Sequence, residues 1–230
     1  MAFYLGSCQV DNLININYIS NSFLESENLF LHRQMSEYSG SVSKVGSYAF
    51  YYCSSLKSIT LSQVTSVGAY AFAYCSSLQT VALPQVTNIG SSAFRNCTSI
   101  YYIDFSRATV IGTAAFYSCS RLDTVYLSSA ATINASAFTY CTQLARVYMY
   151  NTQVINANAF RSCYNLLSLY LLGSSVATLA STTAFTSTPI STYTTSTHGT
   201  RGTIYVPSSL YTIYRAASNW SVYAARFQPM

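Results

Sequence analysis

Apolar positions recur along this chain every 22 residues. Phe50, Phe72, Phe94, Phe116, Phe138 and Phe160 are each preceded by Ala, and each is followed three residues later by Cys53, Cys75, Cys97, Cys119, Cys141 or Cys163. Around each Phe runs the pattern I/V-G-x-x-A-F-x-x-C-x-x-L-x-x-V-x-L. A period held over six units means that one small supersecondary unit is stacked on copies of itself and buries its apolar face against its neighbours. Within a unit, A-F-x-x-C-x-x-L places apolar residues three apart, which predicts one helical or 3-10 turn. A short alternating segment follows: Ile59-Thr60-Leu61, Val81-Ala82-Leu83, Ile103-Asp104-Phe105, Val125-Tyr126-Leu127, Val147-Tyr148-Met149 and Leu169-Tyr170-Leu171. Each triplet predicts a strand whose outer members point inward and whose middle member points out. The pairs Val67-Gly68, Ile89-Gly90 and Ile111-Gly112 predict a sharp turn at the glycine. Asn134 and Asn156 take that position in the next two units, and asparagine also tolerates a left-handed backbone. Successive strands must then pair in parallel as a narrow sheet along a rod.

The period fails at both ends. Residues 1–41 do not follow it: 13–19 alternate weakly and 22–31 have helical spacing. Such a segment caps the open end of a solenoid or attaches the rod to something else. After Leu172 the beat slips. Ala184-Phe185 is a seventh Ala-Phe pair, with Thr188 in the cysteine position. The stretch 186–203, rich in Ser and Thr, reads as an extended loop. Ile204-Tyr205-Val206 reads as a last strand. A helix is expected over about 209–217, with serine as cap and Leu210, Ile213, Tyr214 and Ala217 as its apolar face. The expected organisation is an N-terminal cap or attachment segment (1–41), a repeat solenoid (42–206) and a C-terminal helical cap (207–230).

The unit I-G-x-x-A-F-x-x-C-x-x-L-x-x-V-x-L resembles the BspA-type leucine-rich repeat, and the tail I-Y-V-P-S-S-L-Y-T-I-Y-R-A-A-S-N-W resembles the C-terminal cap that closes such arrays. The resemblance covers roughly residues 42–227. It implies an α/β repeat solenoid: a curved rod with one short parallel strand and one helical or 3-10 turn per repeat. It also implies adhesion and binding of host proteins, as on the surfaces of gut and oral bacteria, with similar arrays in prophage regions. No basic segment followed by an apolar core opens the chain, so a secretory signal is not recognised. The expected location is an extracellular surface or a phage particle, with a cytoplasmic stage before release.

Composition narrows the function. Charged residues make up only 7% of the 230 residues, and the net charge is +5. Residues 1–40 hold Asp11, Glu25, Glu27 and Glu37 against Arg33, while the remainder holds ten Lys and Arg against Asp104 and Asp123. The bases fall at different repeat offsets, which argues against a nucleic-acid footprint. No stretch is long enough for a membrane span. Six cysteines share one repeat position and read as small buried thiols filling a corner, not as a disulfide framework. His32 and His198 lie outside the regular array, and Asp104 and Asp123 sit at different offsets. No catalytic constellation, metal site or cofactor site is therefore expected.

The outward strand positions carry the candidate site. The middle column reads Thr60, Ala82, Asp104, Tyr126, Tyr148, Tyr170, and the flanking columns add Tyr102, Arg146 and Tyr150. Aromatic residues and Arg most often anchor interfaces, and flat rings also stack on sugars. Tyr102, Tyr126, Arg146, Tyr148, Tyr150 and Tyr170 are the candidate ligand-binding residues, for a protein or glycan partner. Tyrosine also favours strands, so the same cluster reads alternatively as a stiffened sheet. The second functional reading is a structural spacer or decoration subunit of a larger assembly, such as a phage virion, attached through 1–41. A third, a hydrolase acting on surface polymer, has no residues to nominate.

Overall fold

The computed structural model describes residues 37–39, 43–191 and 201–230, with the backbone alone for 37–39. Each 22-residue unit contributes two strands, on opposite sides of the turn that carries the Phe. On one side lie β1 (Glu37–Ser39), β3 (Ser58–Thr60), β5 (Thr80–Ala82), β7 (Tyr102–Asp104), β9 (Thr124–Leu127), β11 (Arg146–Met149), β13 (Ser168–Leu171), β15 (Thr203–Val206) and β16 (Phe227–Pro229). On the other lie two-residue strands: β2 (Lys44–Val45), β4 (Ser66–Val67), β6 (Asn88–Ile89), β8 (Val110–Ile111), β10 (Thr132–Ile133), β12 (Val154–Ile155) and β14 (Thr178–Leu179). The short strands form one unbroken seven-stranded parallel sheet. The longer ones form two parallel sheets, β1-β3-β5 and β7-β9-β11-β13-β15-β16. Partners across the regular units are 22 residues apart, as in Val125↔Val147. The expected parallel sheet is present, and a second one joins it that the sequence pattern did not reveal.

The core lies between these two sides. Phe50, Phe72, Phe94, Phe116, Phe138, Phe160 and Phe185 are fully buried. Their rings stack face to face at centroid distances of 5.0–5.6 Å, with planes within 8° of parallel. The outer members of the strand triplets are buried as expected, except that Val81 is only half-buried. The segment between the sides is not a continuous helix. Bonds closing three-residue offsets, such as Tyr51 N–H to Tyr48 and Cys53 N–H to Phe50, are interrupted by residues with positive φ two positions before and two after each Phe of the six regular units. The alternate amide groups point along the rod instead, as in Phe94 N–H to Ala115 O at 2.8 Å. Among the described residues a 3-10 helix forms only in the seventh unit, at Thr182–Phe185, and in the C-terminal block.

The repeat glycines serve close packing. A Cβ on Gly90 would lie 2.7 Å from the carbonyl carbon of Gly68, and one on Gly112 would lie 2.6 Å from that of Gly90. Neither glycine is in the left-handed region expected for it, nor are Asn134 and Asn156. The asparagines instead donate from Nδ2 to the carbonyls of Ile111 and Ile133, at 3.0 and 3.3 Å, adding a side-chain rung between units.

The last strand of the seven-stranded sheet would leave its outer backbone groups unpaired. The C-terminal block supplies partners. Trp220 Nε1–H donates to Ala177 O at 2.6 Å, Asn219 Nδ2 donates to Leu179 O at 2.7 Å, and the Tyr214 hydroxyl accepts from Ala177 N–H at 2.9 Å. The helix α1 (Tyr211–Ala216) follows a 3-10 turn and has no serine side-chain cap; the Ser208 hydroxyl donates to Met230 O instead. Of its expected apolar face, Tyr214 is buried but Ile213 is 53% exposed. β16, absent from the sequence reading, pairs with β15 and ends that sheet on Pro229, whose missing N–H suits an edge.

One interface departs from the pattern. β5 and β7 belong to separate sheets, although β4 and β6 of the same two units remain paired. Phe105 stands in β7's unit where its neighbours carry Leu83 and Leu127, and its buried ring packs at 5.9 Å against both Phe94 and Phe116. An extra ring in a column sized for leucine forces the backbone to shift, which accounts for a rod wedged open on one side there. A Gly90→Ala substitution should destabilise the protein by about 1–3 kcal/mol through its clash with fixed backbone. Chemical denaturation compared with Ser91→Ala, at an exposed neighbouring position, checks this.

Candidate functional site

β9, β11, β13 and β15 bring Tyr126, Tyr148, Tyr170 and Tyr205 into one column on the outer strand face. Consecutive rings stack at 4.6, 4.5 and 4.6 Å, with planes within 10° of parallel. Parallel pairing in register dictates this, because residues with the same offset sit one strand spacing apart. The ring faces are therefore turned toward one another along the rod. What the column presents outward is a strip of ring edges and hydroxyls. Desolvation within it, reinforced by Tyr170 and Tyr126, raises the Tyr148 phenol above its ordinary pKa.

The other candidates take different places. Tyr102, on β7, is 46% exposed and tilted by 56° from Tyr126, with centroids 5.8 Å apart, so it stands at the column's edge without joining the stack. Arg146 is committed within the chain: Nη2 donates to Asp123 Oδ2 at 2.7 Å and Nε donates to Thr124 Oγ1 at 3.2 Å. Tyr150 lies just beyond β11, exposed and outside the stack. The structure thus unites Tyr126, Tyr148 and Tyr170, sets Tyr102 beside them and leaves Tyr150 apart. Tyr205 is the member that sequence reasoning missed. Its strand was expected, but the slipped period hid that it continues this column.

A second aromatic group lies on the turns of the first two units. Tyr48 stacks on Tyr70 at 5.1 Å, Tyr52 stacks on Tyr74 at 4.4 Å, and Tyr51 meets Tyr48, Tyr52 and Tyr74 edge-on. Four of these five adopt positive φ, from 56° to 66°, where later units carry mostly Ser, Asn or Ala. Bulky side chains there are uncommon, so these rings form an ordered cluster, where the sequence suggested a general bias toward tyrosine.

The six repeat thiols are buried in the core. Cys75, Cys97, Cys119, Cys141 and Cys163 each donate Sγ–H to the carbonyl of the Phe 25 residues earlier, at 3.0–3.1 Å, and all are buried. Burial pushes the Cys119 thiol up to about 12, and drives Cys97, Cys141 and Cys163 upward as well. Thr188 takes the corresponding place in the seventh unit and donates to Phe185 O at 2.8 Å. Asp104 and Asp123 do not meet: the first bonds Ser106, the second Thr124 and Arg146. Among the described residues no group of three His, Cys, Asp or Glu could hold a metal ion, and no helix is long and apolar enough to cross a membrane. His32 and His198 lie outside the described residues.

Residues 43–167, more than half of the chain, match the BspA type leucine rich repeat region in six copies. The chain belongs to this family. Among solved structures it is similar to the leucine-rich repeat protein of T. pallidum, at 30% identity and a TM-score of 0.63, covering 67% of this chain and 77% of that one. It is also similar to a leucine-rich repeat protein from Eubacterium ventriosum, at 29% identity and a TM-score of 0.63, covering 70% of this chain but only 45% of that one. A comparison with curated proteins returns no match. Leucine-rich repeats generally mediate protein interactions, and BspA-type repeats are typical of bacterial surface proteins.

The raised thiols make a testable link to stability. Unfolded cysteines ionise near the ordinary value of 9 while Cys97, Cys119, Cys141 and Cys163 stay protonated, so these four let the folded state hold more protons above that pH and cost it stability as pH rises from there toward 12. Denaturant midpoints should hold steady from pH 7 to 8.5 and fall at pH 10. A Cys119→Ala, Cys141→Ala double variant should show a shallower fall over the same range.

Proposed function

We propose that this protein is a non-enzymatic recognition module that engages a protein or glycan partner through the outer strand face and serves adhesion on a bacterial surface or phage particle. One observation carries the reading: the tyrosine column. Tyr126, Tyr148, Tyr170 and Tyr205 occupy a single outward row in the C-terminal units, where Thr60 and Ala82 stand in the N-terminal ones. The core does not need these rings, which lie outside the buried set. A strip of ring edges and hydroxyls with little charge suits a flat macromolecular surface, since tyrosine offers large contact area at low entropic cost. Tyr102 and Tyr150 extend the exposed aromatic area on either side, and Arg146 is a rim cation already held by Asp123. Replacing Tyr126, Tyr148 and Tyr170 together with Ser should abolish binding to bacterial cells, mucin or a candidate host protein while the melting transition stays cooperative. Retained binding by that folded variant would remove the strand face as the site.

A second reading, a structural spacer or decoration subunit attached through residues 1–41, draws on the charge asymmetry. That segment holds four of the six acidic residues of the chain, while residues 42–230 hold ten bases and two acids. Its described part, β1, pairs with β3 and so also covers the edge of that strand. Removing residues 1–36, which spares β1, should lower the assembly state seen in sedimentation velocity under this reading. An unchanged sedimentation profile would leave the segment a capping role alone.

A further inference from the structure

The seam between β5 and β7 opens a groove of about 380 Å³ on the outer strand face, within the usual range for ligand pockets of roughly 300–1,000 Å³. Its floor is apolar, from Leu83 and Phe105, both buried. Pro84 stands on one wall and Tyr102 on the other, and Asp104, Ser106 and Arg107 form the polar rim. Three features make this more than a packing fault. Tyr102 is the strand-face ring tilted away from the parallel stack, so one of its faces is not covered by a neighbouring ring. The Asp104 carboxylate is pinned through Oδ1 by the Ser106 N–H at 3.0 Å and by the Ser106 hydroxyl, which leaves Oδ2 without a partner among the described residues. Arg107 is exposed beside it and makes no ion pair among the described residues, whose one salt bridge joins Arg146 and Asp123.

The chemistry of that lining selects its guest. An anion would meet Asp104. A cation would meet Arg107, on an array that carries eight bases against two acids. A neutral pyranose satisfies all of it: one C–H face for an aromatic ring, hydroxyls that donate to a fixed carboxylate oxygen, and ring or hydroxyl oxygens that accept from a guanidinium. We infer that the groove between β5 and β7 is a binding site for a neutral pyranoside unit, with Tyr102 as its platform, Asp104 Oδ2 as acceptor and Arg107 as donor. The inference rests on the reading of the strand face as a recognition surface and assigns the sugar to this groove. The stacked column, whose ring faces are already covered by one another, meets a flat surface instead.

The test is ligand-observed saturation-transfer NMR on the full chain, titrated with methyl glycosides of the common neutral hexoses and N-acetylhexosamines. At least one should bind saturably, at about millimolar strength for a single ring of this size. Tyr102→Ala and Asp104→Asn should each weaken it about tenfold or more, the loss expected for a charge-assisted hydrogen bond or an aromatic platform. Both positions are exposed, and circular dichroism melts verify folding. Ser91→Ala, at an exposed position outside the strand face, should leave sugar binding unchanged. Absence of binding by every glycoside, or binding indifferent to both groove variants, would overturn the assignment. Binding of N-acetyl-lysine methylamide in place of any sugar would also overturn it and give the groove to a cationic side chain. Either failure is separable from failure of the strand-face reading, which the triple column variant reports on independently.

Discussion

Everything in this rod follows from the fixed spacing of parallel backbone pairing. Strands hydrogen-bonded in register stand about 4.8 Å apart, and every side chain with the same offset must live at that distance from its copies. Flat rings do so by stacking, which is why Phe fills the interior column and Tyr the exterior one. A thiol does so by reaching back to the carbonyl of the preceding unit's Phe. Glycine is required where the backbones themselves come closest. The 22-residue consensus is thus a list of groups that tolerate being repeated at strand spacing.

The same constraint explains which features were readable from sequence. The Phe and Cys columns and the strand triplets each repeat one chemical type at one offset, and a period exposes such columns directly. The short strands β2 to β14 were not readable, because a two-residue strand holds one inward residue and shows no alternation. The glycine was located but its reason was misjudged. Sequence shows that a Cβ is avoided, not whether the cause is φ or a neighbouring backbone. The left-handed turn residues ran against propensity, since Tyr48, Tyr52, Tyr70 and Tyr74 occupy positions where Asn or Gly would be the natural guess.

For the candidate site, the period placed Tyr126, Tyr148 and Tyr170 together, and the geometry assigned them a different chemistry. Three tyrosines in a row suggest three platforms for flat ligands. Stacking at 4.5 to 4.6 Å covers those faces and leaves edges. The open face belongs to Tyr102, which the sequence counted as merely a flanking residue. Its tilt accompanies an event within a single unit, the extra ring of Phe105, and a repeat consensus averages such events away.

The seam at β5 and β7 bears on how the molecule comes apart. In a stacked array, stability is the sum of weak individual units and the couplings between nearest neighbours. Most couplings here include two strand ladders and a set of turn bonds, whereas this one lacks a strand ladder. The array is therefore divided into two blocks by one boundary that is held by a single strand ladder, the turn bonds and the Phe72–Phe94 stack. The N-terminal block ends in units that carry the turn-face tyrosines, and the C-terminal block is anchored by the Trp220 closure, so partial opening would separate one aromatic surface from the other while each stayed folded.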